Sequence, residues 1–362
     1  KGDDGRDETF RQLDLFADVL TRIESDYVTD PDKAELIESA IDGMLQALDP
    51  HSSYLSPDDF QDMQVSTRGE YGGIGIEVTI RDDMITIVSP IAETPGERAG
   101  LESGDRIVAV DGESMLGADM NDAIDRMRGP AGEPVTLTIA REGEEAFDVT
   151  VVRDIIEVRA ASWRMEADET PYLRITTFNE QTTENVVAGV RDLTQANGGP
   201  LPGLVLDLRS NPGGLLEQSV SVSSLFLDGG EVVSTRGRDP RDTQRYNAEP
   251  GDMLAGAPIV VLINQGSASA SEIVVGALKD RERATVLGLP SFGKGSMQTV
   301  IPLRGGRDGA LRLTTARYYT PAGISIQATG IMPDIAVAAR RLDPDSPQRF
   351  TEASLRNALG NE

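Results

Sequence analysis

The chain has 362 residues, enough for two or three domains, each with a sizeable core. Its 34 Lys and Arg stand against 60 Asp and Glu, and the formal charge of −26 repels a phosphate backbone, so nucleic acid is not an expected partner. Cysteine is absent and histidine occurs once, at His51, which excludes a disulfide scaffold, a thiol nucleophile, a Cys-based zinc site and a multi-histidine metal site. A Ser-His-Asp triad would have to use His51.

The longest apolar stretches, such as Ile259 to Ile263, are strand-length, far short of the roughly 20 residues that span a bilayer. The opening Lys1-Gly2-Asp3-Asp4-Gly5 has neither an initiator methionine nor an apolar leader core, so a mature or trimmed form is expected, its targeting segment missing. A lack of cysteine fits a cell-envelope protein.

Phe10, Leu13, Phe16, Leu20, Ile23 and Tyr27 recur at spacings of three and four and predict a first amphipathic helix; Leu36 to Leu48 predict a second, with Asp30 before Pro31 as its start signal. A helical hairpin packed on its neighbour is the simplest reading, and the wide apolar face of the first helix leaves a dimer contact as the alternative. From Tyr71 the pattern changes to short strands: Ile74 to Ile80, Met84 to Val88, Arg106 to Val110 and Val135 to Ala140, with one short helix from Asn121 to Met127. From about Ser162 strands and helices alternate. Leu204 to Leu208 leads into Leu215 to Leu227, and Ile259 to Ile263 into Ala270 to Lys279, an order that argues for an α/β core with a largely parallel sheet. A polar tail ends in an expected helix from about Gln348 to Leu359.

Three strand-to-loop junctions are candidates for chemistry. Asp207-Leu208-Arg209-Ser210-Asn211-Pro212-Gly213-Gly214 opens a helix, and its glycine amides suit an anion-binding nest, although such turns are also merely tight turns. Gly266-Ser267-Ala268-Ser269-Ala270-Ser271-Glu272 crowds three hydroxyls into a first helical turn. Ser269 and Glu272 have capping-box spacing, the commoner use of serine there, whereas a nucleophile at this point would have the Ala270 amide beside any oxyanion. In Gly288 to Gln298, Gly288 and Gly293-Lys294 match a phosphate-binding loop, but Gly295 replaces its Ser/Thr and a strand, Thr299 to Leu303, follows instead of a helix, which leaves a nucleotide hydrolase as an outside alternative. Taken together, the second and third junctions suggest a serine activated by a lysine. Lowering a lysine from near 10.4 to roughly 7–8 takes about 3–5 kcal/mol of desolvation; Phe292 and Met297 supply apolar flanks for it, and Gln298 a neutral partner for the amine.

These residues carry a strong resemblance. Gly266 to Glu272, the lysine 25 residues after the middle serine and the glutamine four further on, with Asp49-Pro50-His51-Ser52-Ser53-Tyr54-Leu55, Asp207 to Gly214, Tyr319-Thr320-Pro321-Ala322-Gly323, Ser325-Ile326-Gln327, Gly330 and Pro333-Asp334, resemble the carboxy-terminal processing proteases, tail-specific serine peptidases of family S41. The resemblance, not the spacing, implies Ser269 as nucleophile, Lys294 as general base, Gln298 as its partner, and an oxyanion site from Ala270 and one of Gly213 or Gly214, with no cofactor and no metal. His51 is assigned to structure. The β-rich region resembles a PDZ domain, with Gly72, Gly73, Ile74 and Gly75 as its carboxylate-binding loop and Ile76 and Val78 on the strand beside which a tail would add.

The expected architecture is therefore α/β and multidomain: an N-terminal helical region (1–66), a PDZ domain (67–158), a protease core with a mixed sheet (159–340) and a C-terminal helical tail (341–362). The expected function is an envelope, periplasmic endopeptidase for exposed C-terminal tails, against the alternative of a non-catalytic PDZ adaptor. Arg128, beside Gly129-Pro130, is the candidate that couples the PDZ domain to the core. The face of Phe10 to Tyr27, with Phe350 and Leu355, is the candidate for homo-oligomer contacts, and the resemblance allows a helical-repeat lipoprotein partner.

Overall fold

The computed structural model describes residues 4–81, 84–118, 120–337 and 351–361. Helix α1 (Asp4–Asp26) and helix α2 (Lys33–Gln46) open the chain. The start of α2 falls two residues after the expected Asp30, because the Asp32 carboxylate reaches the amides of Ala34 and Glu35 and caps the first turn. A third helix, α3 (Pro57–Arg68), was not apparent in the apolar pattern; Ser56 with Asp59 forms its capping box, Pro57 begins it, and Gly69 ends it at a φ of 74°. None of its residues is buried, which is why periodicity alone does not disclose it.

The β-rich module is one antiparallel sheet in the order Ile76–Arg81, Met84–Pro90, Arg106–Val110, Pro134–Ala140 and Phe147–Val152, with Glu113–Ser114 beside the third strand. Two short helices, α4 (Pro95–Arg98) and α5 (Met120–Met127), complete it. Its core is Ile74, Ile85, Ile87, Ile107, Leu137 and Ile139 with Ala123 and Met127 of α5. Entry and exit are joined: Glu70–Gly73 pairs antiparallel with Asp154–Glu157.

The α/β region holds two sheets. A mixed six-stranded sheet runs Ala161–Glu166, Thr170–Ile175, Leu204–Asp207, Ile259–Ile263, Ala284–Gly288, Ile335–Ala336; its first pair is antiparallel and the rest are parallel. Helices α6 (Thr182–Ala196), α7 (Leu216–Ser224) and α8 (Ala270–Asp280) join these strands, and α8 buries all but its last two residues. A second, antiparallel sheet places Ala310–Tyr319 between Ser53–Leu55 and Gly230–Gly237, with Gln244–Ala248 beyond and Ser296–Pro302 also on the long strand. The long strand thus bonds the N-terminal region directly to the strand that follows Lys294.

The tail differs from the expected helix. Residues 341–350, Phe350 among them, lie outside the described residues; from 351 to 361 there is one 3₁₀ turn, Glu352–Ser354, and otherwise irregular chain. The reason is Glu352, whose side chain is fully buried and whose amide donates to the Phe292 carbonyl, bonds that tie this stretch to the core rather than to itself. On α1, Phe10, Leu13 and Phe16 are exposed. Among the described residues no helix is long and apolar enough to cross a membrane.

Candidate active site

Strand Ile259–Ile263 ends at Asn264, and the next five residues form a loop stitched to the neighbouring Leu208–Asn211 turn. Asn264 Oδ1 accepts from the amides of Ser210 and Gly266 at 2.8 and 2.9 Å. Ser267 Oγ donates to the Leu208 carbonyl at 2.8 Å, and Ser271 Oγ to the Asn211 carbonyl at 3.0 Å. Both of these hydroxyls are fully buried and committed. Ser269 lies between them with φ 55° and ψ −115°, a backbone conformation that an L residue adopts only when its surroundings impose it, and its residue lines a cleft of about 550 Å³.

Lys294, Gln298, Gly214 and Arg312 line the same cleft, as do Met63, Ser66 and Thr67 of α3. Burial, followed by the Arg312 guanidinium, pushes the Lys294 ammonium below its ordinary pKa, against the opposing charges of Glu352, Glu272 and Asp49. Among the described residues the ammonium makes no hydrogen bond and no ion pair; Ser269 and Lys294 face one cleft without a direct bond. Gln298 is held by its amide nitrogen, which donates to Ser296 Oγ at 3.0 Å and Thr314 Oγ1 at 3.1 Å. That leaves its carbonyl oxygen as the end available to an amine.

One carboxylate that sequence reasoning treats only as a cap joins the two halves of the site. Glu272, with no exposed surface, accepts from the amides of Ser269 (2.8 Å), Gly293 (2.7 Å) and Lys294 (2.9 Å) and from Ser291 Oγ (2.5 Å). Burial pushes its pKa up to about 7 despite these four donors. The same bonds remove the phosphate-loop alternative: the Gly293 and Lys294 amides that a phosphate would need are given to Glu272, and the strand Ser296–Pro302 follows. Gly295 has no room for a side chain, since a Cβ would stand 2.4 Å from the Gln327 nitrogen.

The Gly213-Gly214 turn packs against the start of α8. A Cβ on Gly213 would meet Ser269 Cβ at 2.8 Å and the Ala270 nitrogen at 2.9 Å. The Gly213 amide is already donated to Asn211 Oδ1 at 2.9 Å. The bridge to Phe178 uses the Gly213 carbonyl and the Leu215 amide, leaving the Gly214 amide outside it, at the cleft wall. Ala270 begins α8, so its amide has no partner within the helix.

His51 is not among the cleft-lining residues; its Nε2 lies 2.8 and 3.0 Å from the Glu352 carboxylate oxygens. Among the described residues, no group of three His, Asp or Glu side chains is placed to hold a metal ion. In the β-rich module a second cavity, about 410 Å³, is lined by Gly73, Ile74, Gly75, Ile76 and Val78 of the expected set, with Ile124, Met127 and Arg128 opposite. Gly72 is placed differently: it lines a neighbouring cavity of about 730 Å³ against α3, and its carbonyl accepts from the Gly129 amide. Arg128 borders both cavities, stacks 4.9 Å from the Tyr71 ring and stands 3.5 Å from Asp62 of α3.

Residues 169–337 match peptidase family S41, residues 86–141 a PDZ domain, and residues 1–59 the N-terminal domain of the activating protease CtpB. The chain is 54% identical over 331 residues to a carboxy-terminal-processing protease of Bartonella bacilliformis, covering 91% of this chain and 76% of that one. It is 34% identical over 325 residues to the carboxy-terminal processing protease CtpA of Bacillus subtilis, covering 90% and 68%. Among solved structures it is similar to a photosystem II D1 C-terminal processing protease, with a TM-score of 0.51, 29% identity and 89% and 92% of the two chains covered. With the α/β core, the PDZ module and the Ser269 cleft all in one chain, this protein belongs to the carboxy-terminal processing proteases of peptidase family S41.

Proposed function

We propose that the protein is a serine endopeptidase that cleaves polypeptides near exposed C-terminal tails with Ser269 as nucleophile and Lys294 as general base. The observation that carries this is the unequal fate of three neighbouring hydroxyls: those of Ser267 and Ser271 are buried donors to backbone carbonyls, and Ser269 alone of the three lines the cleft that holds Lys294. Neutral Lys294 takes the proton from Ser269 Oγ as the oxygen bonds to the scissile carbonyl carbon. Negative charge gathering on the carbonyl oxygen is met by the amides of Ala270 and Gly214, the second chosen over Gly213 because the latter's amide is already given to Asn211. The lysine then passes its proton to the departing amine, and water releases the acyl group by the same steps. Gln298, anchored at its nitrogen, offers an oxygen to orient the amine.

The PDZ domain, taken as residues 67–158, supplies the tail site: Gly73 to Gly75 offer amides to a terminal carboxylate, and the strand from Ile76 offers its edge beside the apolar 410 Å³ groove. Arg128 is the proposed coupling residue, acting through Asp62 on α3, whose Met63, Ser66 and Thr67 reach the catalytic cleft. The exposed face of α1 fits a second copy of the chain, and a helical-repeat lipoprotein remains a candidate adaptor. A bacterial envelope location is in keeping with these roles.

Ser269→Ala should abolish cleavage of a partly unfolded protein while leaving tail binding intact. Equal cleavage by that variant would sink the assignment in favour of a non-catalytic PDZ adaptor. Activity should rise with pH through the lowered lysine pKa, since only the neutral amine accepts the proton.

A further inference from the structure

Three stretches remote in sequence converge behind the Lys294 loop, on the side away from the cleft. From the C-terminal segment, Glu352 brings a fully buried carboxylate that accepts from His51 Nε2 and, at 2.9 Å, from Gln327 Nε2. Gln327, also fully buried, uses its oxygen to accept from the Gly295 amide at 2.9 Å, the nitrogen of the peptide unit that joins Lys294 to Gly295. The Glu352 amide donates to the Phe292 carbonyl at 3.2 Å, so the same residue holds the loop on both sides of Lys294.

The turn that carries His51 makes a parallel connection. Asp49 accepts from the amides of His51 and Ser52, from Ser52 Oγ and, at 3.1 Å, from Thr314 Oγ1. Thr314 Oγ1 in turn accepts from Gln298. Both routes therefore lead from one N-terminal turn to the start of the strand Ser296–Pro302, one to Gly295 just before it and the other to Gln298, its third residue. An apolar side chain would anchor a tail as well as a carboxylate and without the desolvation that a buried charge incurs; what the polar contacts add is a fixed direction.

We propose that Glu352 is a positioning residue for the peptidase reaction, which through Gln327 and with His51 fixes the peptide unit of Lys294 and so the direction in which the amine meets Ser269. The C-terminal segment is then a working part of the active site rather than an appendage. This rests on the reading of Lys294 as the base. The charged groups that act on Lys294 are Arg312, which favours the neutral amine, and Glu352, Glu272 and Asp49, which favour the ammonium.

The test uses the full chain and an unfolded protein substrate, with kcat, KM and the pH profile of kcat/KM measured beside thermal unfolding. Glu352→Gln removes charge and one acceptor: kcat should fall at least about tenfold with KM within about twofold, and the acid limb of the profile should move to lower pH because one group favouring the ammonium is gone. Gln327→Met breaks the link to Gly295 and keeps the carboxylate, so it should reproduce the loss of kcat without moving the limb. The double variant should lose less than the two single losses combined. Folded variants with unchanged kcat and an unmoved limb overturn the proposal, and so does a loss that only tracks the unfolded fraction at the assay temperature. Lys294→Ala in the same assay keeps the two readings apart: if it still cleaves, the base assignment fails whatever Glu352 does.

Discussion

The two halves of the proposed catalytic site are held in different ways. Ser269 is fixed by its immediate surroundings: the parallel strands Leu204–Asp207 and Ile259–Ile263 that lead to it, Ser267 and Ser271 pinned to the adjoining turn, and a helix that starts at the next residue. Lys294 sits in a loop that, besides its bonds to Glu272, is held by Gln327 and Glu352, while its neighbour Gln298 is held through Thr314 and Asp49, residues separated by up to three hundred positions. The proposed nucleophile is thus preorganised by the core, whereas the proposed base also depends on contacts that a shift of the N-terminal region or tail would reach. Restraint of a peptidase is more readily exercised at the second half.

The hardest break removes one member from each half. Ser269→Ala should lower cleavage by at least about 10⁴-fold with little change in stability, and Lys294→Met should do the same to cleavage yet raise the melting temperature. Because the folded-state pKa of the lysine is lowered, the unfolded chain binds its proton more tightly, so stability rises with pH from the lowered value up to 10.5, and at neutral pH burying this lysine is a burden that methionine lifts. Thermal unfolding of the two variants side by side checks this; a less stable Lys294→Met would contradict it.

Next comes the tie between the halves. Glu272→Gln places an amide nitrogen where donors now converge, leaving two of them unmatched, and activity should drop about tenfold to a hundredfold. Because burial raises the Glu272 pKa from 4.5 to about 7, the folded state holds its proton more tightly, a contribution of roughly 3 kcal/mol that is full below 4.5 and gone above 7. Wild-type stability should therefore fall relative to the variant as pH rises across that window. Parallel curves in the two proteins would refute it.

On the Ser269 side, Gly214→Ala would push a Cβ to 2.2 Å from the Phe178 carbonyl at a φ of 142°. Activity should fall more than stability does, since the bridge to Phe178 aims the amide as well as holding the turn; equal fractional losses would make Gly214 purely structural. The smallest effect is expected at Arg128→Ala, whose ion pair with Asp62 is half open to water and so worth under about 1 kcal/mol. Basal cleavage of a short peptide should change within about twofold while activation by an added tail peptide weakens. Unchanged activation would discard the coupling.

Much of this was legible in the sequence where the signal is local. The strands at Arg106–Val110 and Ile259–Ile263 match their apolar runs to the residue, and α5 and α8 fall where their patterns put them. The three serines at 267, 269 and 271 were visible, but what separates them is which carbonyl each hydroxyl meets, and Leu208 and Asn211 lie some sixty residues away. Ala310–Tyr319 gives no clear strand signal, because its polar and charged residues break the alternation while its pairing partners come from distant parts of the chain. The Glu352 contacts leave no periodic trace at all. A lone acidic residue in a polar tail reads as a solvated helix, and only the meeting with His51, 301 positions earlier, gives it another role.

Helix α3 has its own consequence for how the chain can vary. One side of its last two turns, with Gln61, Asp62 and Arg68, walls the 730 Å³ cavity against the PDZ module, and the other, with Met63, Ser66 and Thr67, walls the cleft of Ser269 and Lys294. Each inserted or deleted residue turns one part of a helix against the rest by about 100°. A single-residue change in its middle would therefore leave both domains folded and send the wrong face into each chamber, so the length of α3 is fixed more strictly than its composition.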